Sequence, residues 1–265
     1  MGSAVDAHST RFGWFRCYRY CRWIIRHDAQ GQDAARAYKR YCLLWRRRGS
    51  RHGTLGDICR VQHEEYNLLI ICYDNESYAN TDIQASGSTP WGANTTFSPP
   101  GKVIRNMNTR WKKNMAPMMA VGHPDMKYVA TACASYGLDF NNKVRRALTA
   151  GGPTFIHCID PCPKGWDYDP KYSHELGMLS IETGLWIQYE IIEGELMLNG
   201  PSRAIAKGIR KRKPVEEYLL RQGRFAHFAP EDIKFFQEKV DEQWEKWWIP
   251  GLVPITPGQG RRNRV

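Results

Sequence analysis

The sequence lacks any apolar run long enough to cross a bilayer, and its N-terminus lacks the apolar core of a secretory signal peptide. We therefore expect a cytoplasmic protein with no membrane partner. Internal repeats are also absent, which argues against a solenoid or another repeat architecture.

Zinc-type cysteine spacing is missing as well. Cys17 and Cys21 are separated by three residues, and no second pair matches them. Eight cysteines without a secretory signal predict reduced thiols or cluster ligands rather than a disulfide framework.

What the sequence does have is positive charge, and most of it lies near the N-terminus. Residues 1–63 contain twelve Arg and one Lys against four Asp, which is +9 of the net +11. The aromatic and basic segment 15–23 could contact the phosphates and bases of a nucleic acid. It carries no recognisable nucleic-acid-binding signature, so we do not expect a nucleic-acid partner.

Length and composition predict one large domain or two small ones, since the chain has 265 residues and 42% hydrophobic content. Three regions differ in character. Residues 1–63 are rich in Arg and Cys, residues 64–200 alternate between strand and helix patterns, and residues 201–265 read as a basic linker followed by a helical tail.

The most informative segment follows the apolar run Asn67–Cys72, which has the length and composition of a buried strand. The run ends in Asp74, Asn75 and Glu76. Open α/β sheets bind ligands at the carboxyl ends of their strands, and magnesium prefers oxygen ligands. The pattern therefore predicts a cation or phosphate site at this edge of the sheet.

Six blocks of the sequence occur in the order of one known family. They lie at residues 74–93, 128–132, 152–157, 161–166, 182–186 and 213–225. Six blocks in register make a resemblance specific. The sequence resembles the thiamine diphosphate-binding β subunit of pyruvate:ferredoxin oxidoreductase and related 2-oxoacid:ferredoxin oxidoreductases.

The resemblance implies roles for the residues that follow the strand. The side chain of Asn75 and the backbone carbonyl of Ser77 would ligate magnesium, and Asp74 would support the loop by accepting backbone N–H bonds. Asn80 and Thr81 would lie near the diphosphate and the reacting carbonyl, where they can donate hydrogen bonds. From its position alone, Asn75 could instead cap a strand end.

Three further residues of the same loop, all polar, are expected to order it around the cofactor. They are Gln84, Ser86 and Thr89.

Cys162 lies in the block Pro161–Trp166, whose cysteine ligates a [4Fe-4S] cluster in the family. Such a cluster needs four thiolates, and the family's other three come from a segment that this sequence does not show. We therefore expect a partial cluster site, with a buried free thiol as the alternative. Cys158 is expected to be a core thiol.

The activity implied by the resemblance is thiamine-dependent oxidative decarboxylation of a 2-oxoacid, with pyruvate first among the candidates. Coenzyme A accepts the acyl group and ferredoxin accepts the electrons. The expected partners are subunits of the α, γ and δ types. The alternative is a non-catalytic remnant or assembly module that keeps the fold but no longer binds thiamine diphosphate.

One part of the family pattern is missing. A Gly-Asp-Gly motif, whose Asp holds magnesium, is expected about 28 positions before Asn75. Position 47 is instead an arginine, within Trp45-Arg46-Arg47-Arg48-Gly49. One possible coding of these residues, TGG CGA CGG CGG GGN, contains GGC GAC GGC GGG one nucleotide later, which encodes Gly-Asp-Gly-Gly. We hypothesise that parts of residues 14–63 are translated out of frame, with the frame restored near Glu64; the alternative is a divergent natural arm.

The expected fold is α/β, a mostly parallel sheet flanked by helices, with the family's thiamine diphosphate-binding fold and a C-terminal helical extension. Trp244, Trp247 and Trp248 could dock on a partner subunit or on their own domain. The predicted strands lie at 67–73, 128–132 and 154–159, and segments 186–192 and 195–199 are expected to form a hairpin that turns at Glu193-Gly194. The predicted helices lie at 112–121, 138–150, 172–183, 214–222 and 230–248, with a loop at 74–110 and a linker at 201–214.

Overall fold

A computed structural model describes residues 39–44, 67–123 and 125–245 of the chain, and gives only the backbone for 39–44 and 67–68. The remainder of the segment 1–63 therefore lies outside the described residues, as do Trp247 and Trp248.

The described part of the chain contains one six-stranded sheet with the order β1-β2-β4-β3-β5-β6. Strands β1, β2, β4 and β3 are parallel to one another. Strands β5 and β6 form an antiparallel hairpin, and β5 pairs antiparallel with β3. The predicted mostly parallel sheet is thus confirmed. The strands are β1 Lys39–Leu44, β2 Asn67–Asp74, β3 Tyr128–Cys133, β4 Thr154–Ile159, β5 Tyr189–Ile192 and β6 Glu195–Leu198.

Helices cover both faces of the sheet and its carboxyl edge. Helix α1 packs Ala116 and Met119 on the face that carries Ile70 and Phe155, and α2 packs Ala147 on the opposite face. The α-helices are α1 Met115–Gly122, α2 Gly137–Thr149, α3 Pro163–Trp166, α4 Ser173–Glu182, α5 Gly200–Ala206, α6 Glu216–Leu219 and α7 Pro230–Glu245.

A third cluster of buried side chains lies at the carboxyl edge of the sheet. It joins Trp166 of α3 and Leu176 of α4 to Tyr218 of α6 and Phe236 of α7. The C-terminal region therefore packs against the α/β core instead of extending from it. The boundary at residue 200 remains a prediction about sequence regions.

Two predicted boundaries in the C-terminal region were wrong. Helix α5 occupies Gly200–Ala206, inside the expected linker, where the buried Ser202 hydroxyl accepts a 2.8 Å bond from the backbone N–H of Gln188. Helix α6 covers only Glu216–Leu219, because the chain turns there to bring Arg224 into the interior.

The expected helix at 112–121 begins later, at Met115. Lys112 lies before the helix, where its ammonium is bonded to a buried carboxylate on Glu76. Trp244 packs on its own domain and donates a 2.8 Å bond from Nε1 to the carbonyl of Gly184.

Gly184, which ends α4, has φ +82°, and a Cβ there would lie 2.4 Å from Nε1 of Trp244. Gly151 has a similar φ of +77° and no neighbour within 4 Å of its Cβ position. We expect Gly151→Ala to lower the free energy of unfolding by about 1–2 kcal/mol, the cost of a left-handed residue. Gly184→Ala should cost clearly more, because Trp244 must also move. Urea unfolding of both variants measures the difference, and equal losses would contradict the packing of Trp244 on Gly184.

Among the described residues, no helix combines the length and the apolar character that a membrane span requires.

Candidate functional site

The carboxyl ends of β2 and β4 lie side by side at one edge of the sheet. Asp74 pairs with Ile159 in the parallel register, and the backbone N–H of Asp160 donates a 3.0 Å bond to the carbonyl of Asp74. The segment after β2 and the segment after β4 are therefore neighbours. This arrangement brings the oxygen-rich loop close to the Cys162 block.

Asp74 is fully buried, and both of its carboxylate oxygens are engaged. Oδ1 accepts a 2.9 Å bond from the backbone N–H of Glu76, the loop-supporting contact expected of this residue. Oδ2 lies 2.8 Å from Nε2 of His157, a buried side chain in the middle of β4. The His157 ring in turn makes an edge contact with Trp186 at 4.7 Å between centroids.

Asn75 and Ser77 are both buried at the start of the loop. Oδ1 of Asn75 accepts a 3.3 Å bond from the backbone N–H of Ser77, which is an Asx-type turn. The backbone carbonyl of Asn75 accepts a 2.9 Å bond from Nε1 of Trp166. The Asx turn is the alternative role of Asn75; it leaves Oδ1 a further lone pair for a cation.

The Ser77 hydroxyl is the orphaned polar atom of this loop: it is buried and has no hydrogen-bond partner among the described residues. Buried polar groups are normally bonded, so an unpaired one marks a place where a ligand or ion can be accommodated. An amide oxygen, a backbone carbonyl and a hydroxyl also form the hard, neutral donor set that suits magnesium. The residues after β2 therefore fit the oxygen ligands of a magnesium–phosphate site, apart from the carboxylate that the motif near position 47 would supply.

Between Asn75 and Ser77 lies Glu76, whose importance the sequence did not reveal. Its carboxylate is fully buried and is contacted by Lys112 at 2.6 Å and Arg224 at 2.7 Å. The two cations come from segments 36 and 148 residues farther along the chain. Such a contact has no local sequence pattern.

Asn80 and Thr81 lie in a single 3-10 turn, Ala79–Thr81, and both are exposed. Thr81 Oγ1 donates a 2.5 Å bond to Oε1 of Gln84, and Gln84 Nε2 donates to the carbonyl of Thr81. Within the described residues, no hydrogen bond joins Asn80 or Thr81 to Asn75 or Ser77. The structure thus places this pair on the open side of the loop, and its catalytic role remains a prediction.

Thr89 anchors the loop to Glu76. Its hydroxyl accepts a 2.8 Å bond from the backbone N–H of Ser86 and donates a 2.7 Å bond to the carbonyl of Glu76. The loop-ordering roles predicted for Ser86 and Thr89 agree with these contacts, and Gln84 closes the neighbouring turn with Thr81.

Cys162 precedes α3 and is half-buried. Its sulfur accepts a 3.4 Å bond from the backbone N–H of Gly165. A Cβ on Gly165 would lie 3.2 Å from both Sγ of Cys162 and Oγ of Ser77, so the small glycine allows the two loops to pack closely. The described residues contain no group of three or more His, Cys, Asp or Glu that could hold a metal, and the cluster role of Cys162 remains a prediction.

Burial raises the pKa values of several groups at or next to the carboxyl ends of β2, β3 and β4. Burial raises the pKa of Asp160, and burial together with the nearby Asp160 and Cys162 raises the pKa of Tyr73. Burial raises the pKa of the Cys133 thiol to about 11 and raises that of Cys158 well above its ordinary value. Cys158 is thus a core thiol, as expected.

We expect Cys162 to be alkylated at least about tenfold faster than Cys158 in the native protein, because attack requires an accessible thiolate. Cys158 is 6% exposed and lies under α2. Peptide mass spectrometry after timed iodoacetamide labelling checks this, with the unfolded chain as the control in which both thiols react at similar rates. Equal native rates would contradict the described burial.

A cleft of about 460 Å³ lies behind the Asp74–His157 pair. It is bounded by aromatic and cationic side chains that include Trp111, Lys112, Trp186 and Tyr189. The sequence did not predict this cleft, because its walls come from segments far apart in the chain. These segments are the loop before α1, strands β3, β4 and β5, the residues before β5, and helix α7.

Comparison with known proteins agrees with the geometry of this edge. Residues 49–158 match the family model of the thiamine pyrophosphate enzyme C-terminal TPP binding domain. The match starts at residue 49, inside the segment 14–63 for which a partly altered reading frame is hypothesised above.

Curated relatives extend the similarity beyond that domain. Pyruvate synthase subunit PorB of Methanothermobacter thermautotrophicus is 48% identical over 176 residues, which is 66% of this chain and 58% of that protein. Ketoisovalerate oxidoreductase subunit VorB of Pyrococcus horikoshii is 36% identical over 181 residues, 68% of this chain and 56% of that protein. The chain thus spans less than two thirds of the length of these relatives.

Among solved structures, a 2-oxoglutarate:ferredoxin oxidoreductase from Magnetococcus marinus aligns with 18% identity and a TM-score of 0.35, over 42% of this chain and 36% of that chain. That overlap is too small to support a conclusion about this chain.

Proposed function

We propose that this chain, which belongs to the β-subunit family of the 2-oxoacid:ferredoxin oxidoreductases, binds the magnesium–diphosphate end of thiamine diphosphate through the loop that follows β2. In a complex with other subunits it would take part in the oxidative decarboxylation of a 2-oxoacid. The supporting observation is the buried turn Asp74–Ser77 at the carboxyl edge of a parallel sheet, inside the matched domain.

The chain's own residues would act by positioning. Asn75 and the carbonyl of Ser77 would hold magnesium, and the Ser77 hydroxyl is free to bond to a phosphate or to a metal-bound water. Asn80 and Thr81, on the open side of the loop, would donate hydrogen bonds to the diphosphate or to the reacting carbonyl oxygen. When bound, thiamine diphosphate supplies the electron sink that makes loss of carbon dioxide from a 2-oxoacid feasible.

The electron route is only partly built in this chain. Cys162 would supply one thiolate of a [4Fe-4S] cluster, and the other three would have to come from elsewhere. A Cβ on Gly165 would lie 3.2 Å from both this sulfur and the Ser77 hydroxyl, so a cluster held there would be close to the cofactor loop. Subunits of the α, γ and δ types, coenzyme A and ferredoxin are the proposed partners, and pyruvate is the first candidate substrate.

The two candidate functions, a cofactor-binding subunit and a non-catalytic remnant, differ in one group. This group is the carboxylate of the expected Gly-Asp-Gly motif, which would bind magnesium. Strand β1 ends at Leu44, shortly before Arg46-Arg47-Arg48, and is parallel to β2. The carboxyl end of a parallel strand beside β2 is where a Gly-Asp-Gly phosphate loop would be needed. This placement favours the out-of-frame hypothesis for parts of residues 14–63, whereas a genuine Arg47 favours the remnant that has lost the cofactor.

A new DNA read from the codon for His8 to that for Tyr66 tests this point. Gly-Asp-Gly-Gly in a corrected frame would identify an active cofactor-binding chain, and Arg46-Arg47-Arg48 in frame would favour the remnant. Calorimetry of the full chain with thiamine diphosphate and Mg²⁺ then tests binding. A chain with the corrected motif that does not bind would overturn the proposed function.

The activity itself requires the assembled complex. With the α-, γ- and δ-type subunits present, we expect pyruvate-dependent reduction of ferredoxin. A reaction without coenzyme A is the control. If ferredoxin is reduced with 2-oxoisovalerate but not with pyruvate, the substrate is 2-oxoisovalerate and the class of reaction is unchanged.

A further inference from the structure

We infer that Glu76, held between Lys112 and Arg224, is a positioning residue that keeps the turn Asn75–Ser77 in the shape that binds magnesium diphosphate. This inference rests on the proposed function and adds a residue that does not itself contact the cofactor. Glu76 lies between the two proposed magnesium ligands, so its backbone conformation sets the directions of both.

The backbone of Glu76 is in a conformation that this residue does not favour. Its φ is +62°, in the left-handed region that a glutamate enters only at a cost in free energy. Strained residues persist when surrounding contacts hold them, and they concentrate at functional sites. The strain here lies directly between Asn75 and Ser77.

Every polar group of Glu76 has a bonding partner that holds this conformation. The N–H donates to Asp74 at 2.9 Å, and the carbonyl accepts from Thr89 at 2.7 Å. The two carboxylate oxygens accept separately from Lys112 and Arg224. The turn is therefore fixed from four directions.

The contacts also close a cycle through the Cys162 block. Arg224, bonded to Glu76, lies with its guanidinium carbon 4.2 Å from the ring centroid of Trp166. Trp166 donates from Nε1 to the carbonyl of Asn75. Glu76 thus fixes the residue before it in two ways, through the chain and through Arg224 and Trp166.

The other cation makes a similar connection on the cleft side. Lys112 Nζ lies 4.5 Å from the centroid of the Trp186 ring, which also contacts His157, the partner of Asp74. Removing the Glu76 carboxylate would leave the buried cations of Lys112 and Arg224 without this anionic partner. We expect both side chains to move toward water or other acceptors. Both links to the turn would loosen together.

Glu182 provides a matched control within the same chain. Its side chain is 7% exposed and is likewise bridged by two cations, Arg210 at 2.5 Å and Lys213 at 2.9 Å. It lies on α4, and no described contact joins it to the Asp74–Ser77 turn. Glu76→Gln and Glu182→Gln therefore each remove the charge of a buried carboxylate bridged by two cations. The cations differ in exposure: Arg210 and Lys213 are 43% and 42% exposed, whereas Lys112 and Arg224 are 9% and 4% exposed.

The test compares these two variants with the wild-type chain, with residues 46–49 as the DNA read defines them. Calorimetry with thiamine diphosphate and Mg²⁺ should show Kd raised at least about tenfold in Glu76→Gln, equivalent to about 1.4 kcal/mol, and unchanged in Glu182→Gln. Lys112→Met, which keeps Glu76 and removes one cation, should give a smaller increase and is the second variant if Glu76→Gln does not fold.

Hydrogen exchange without cofactor provides an independent readout. The amides of Glu76 and Ser77 should exchange faster in Glu76→Gln than in Glu182→Gln. Equal Kd values and equal exchange in both variants would overturn the inference. If the wild-type chain does not bind the cofactor, the proposed function fails, but the exchange comparison still decides whether Glu76 holds the turn.

Discussion

Replacing Asn75 with alanine is expected to raise the Kd for thiamine diphosphate and Mg²⁺ at least about a hundredfold, since the loss of even a supporting residue around a metal ligand costs about 10–100-fold. The variant removes the amide oxygen proposed to bind magnesium. The fold should be kept, because the backbone carbonyl of Asn75 still accepts from Trp166. The lost 3.3 Å bond to Ser77 should cost no more than about 1 kcal/mol of unfolding free energy.

Asn108→Ala is the control for this experiment. Asn108 also makes side-chain bonds, from Nδ2 to the carbonyl of Pro90 at 2.6 Å and to that of Thr89 at 3.4 Å, but none of its described bonds reaches residues 74–77 themselves. Its Kd should match the wild-type value within experimental error. Calorimetry measures the Kd of both variants, and thermal melting measures their stability. If Asn75→Ala binds thiamine diphosphate and Mg²⁺ with the wild-type Kd, the Asn75 amide has only its Asx-turn role.

Trp166→Ala is expected to produce the largest loss of stability, about 3–5 kcal/mol of unfolding free energy. The side chain is fully buried, and its ring lies 6.1 Å from that of Tyr218 between centroids. The change leaves a cavity at the carboxyl edge, removes the donor to Asn75 and exposes one side of Arg224. Domains of this kind are stable by only about 5–15 kcal/mol, so the variant should lose a large fraction of the stability of the domain.

Two further variants separate the causes. Trp166→Phe keeps most of the ring and removes the N–H donor, so its cost should be about 1–3 kcal/mol, the price of an unpaired buried acceptor plus the lost volume. Trp91→Ala, at a partly buried ring 4.6 Å from that of Phe235, should cost less than Trp166→Ala. Urea unfolding measures all three, and a Trp91→Ala loss equal to that of Trp166→Ala would show that the carboxyl-edge cluster is not centred on Trp166.

The elements that could be predicted were those with a strong local pattern. The apolar run ending at Asp74 is a strand because its side chains are buried against both covered faces of a parallel sheet. The hairpin turned at Glu193-Gly194, as predicted, since both residues have the positive φ that a tight turn of this type requires. Helix α5 was missed because the segment 201–214, which contains most of it, is basic and polar like a solvated linker.

The part of the site that could be predicted is the part with a local sequence pattern. Asp74, Asn75 and Ser77 are consecutive or nearly so, and a strand end makes them neighbours without help from the rest of the chain. Their proposed roles came from resemblance to a family and remain to be tested. The shape of the turn depends on Lys112, Trp166 and Arg224, which no local pattern connects to it.

The sequence by itself determined the strand–loop unit, the oxygen-rich composition of the loop and the family resemblance, because each of these resides in a short segment of chain. Only the tertiary structure decided that Glu76 lies buried between two cations and that Cys162 packs beside Ser77. The physical reason is that a buried charge needs partners of opposite sign, and in a folded chain those partners come from whichever segments the packing of the sheet and helices brings to the same edge.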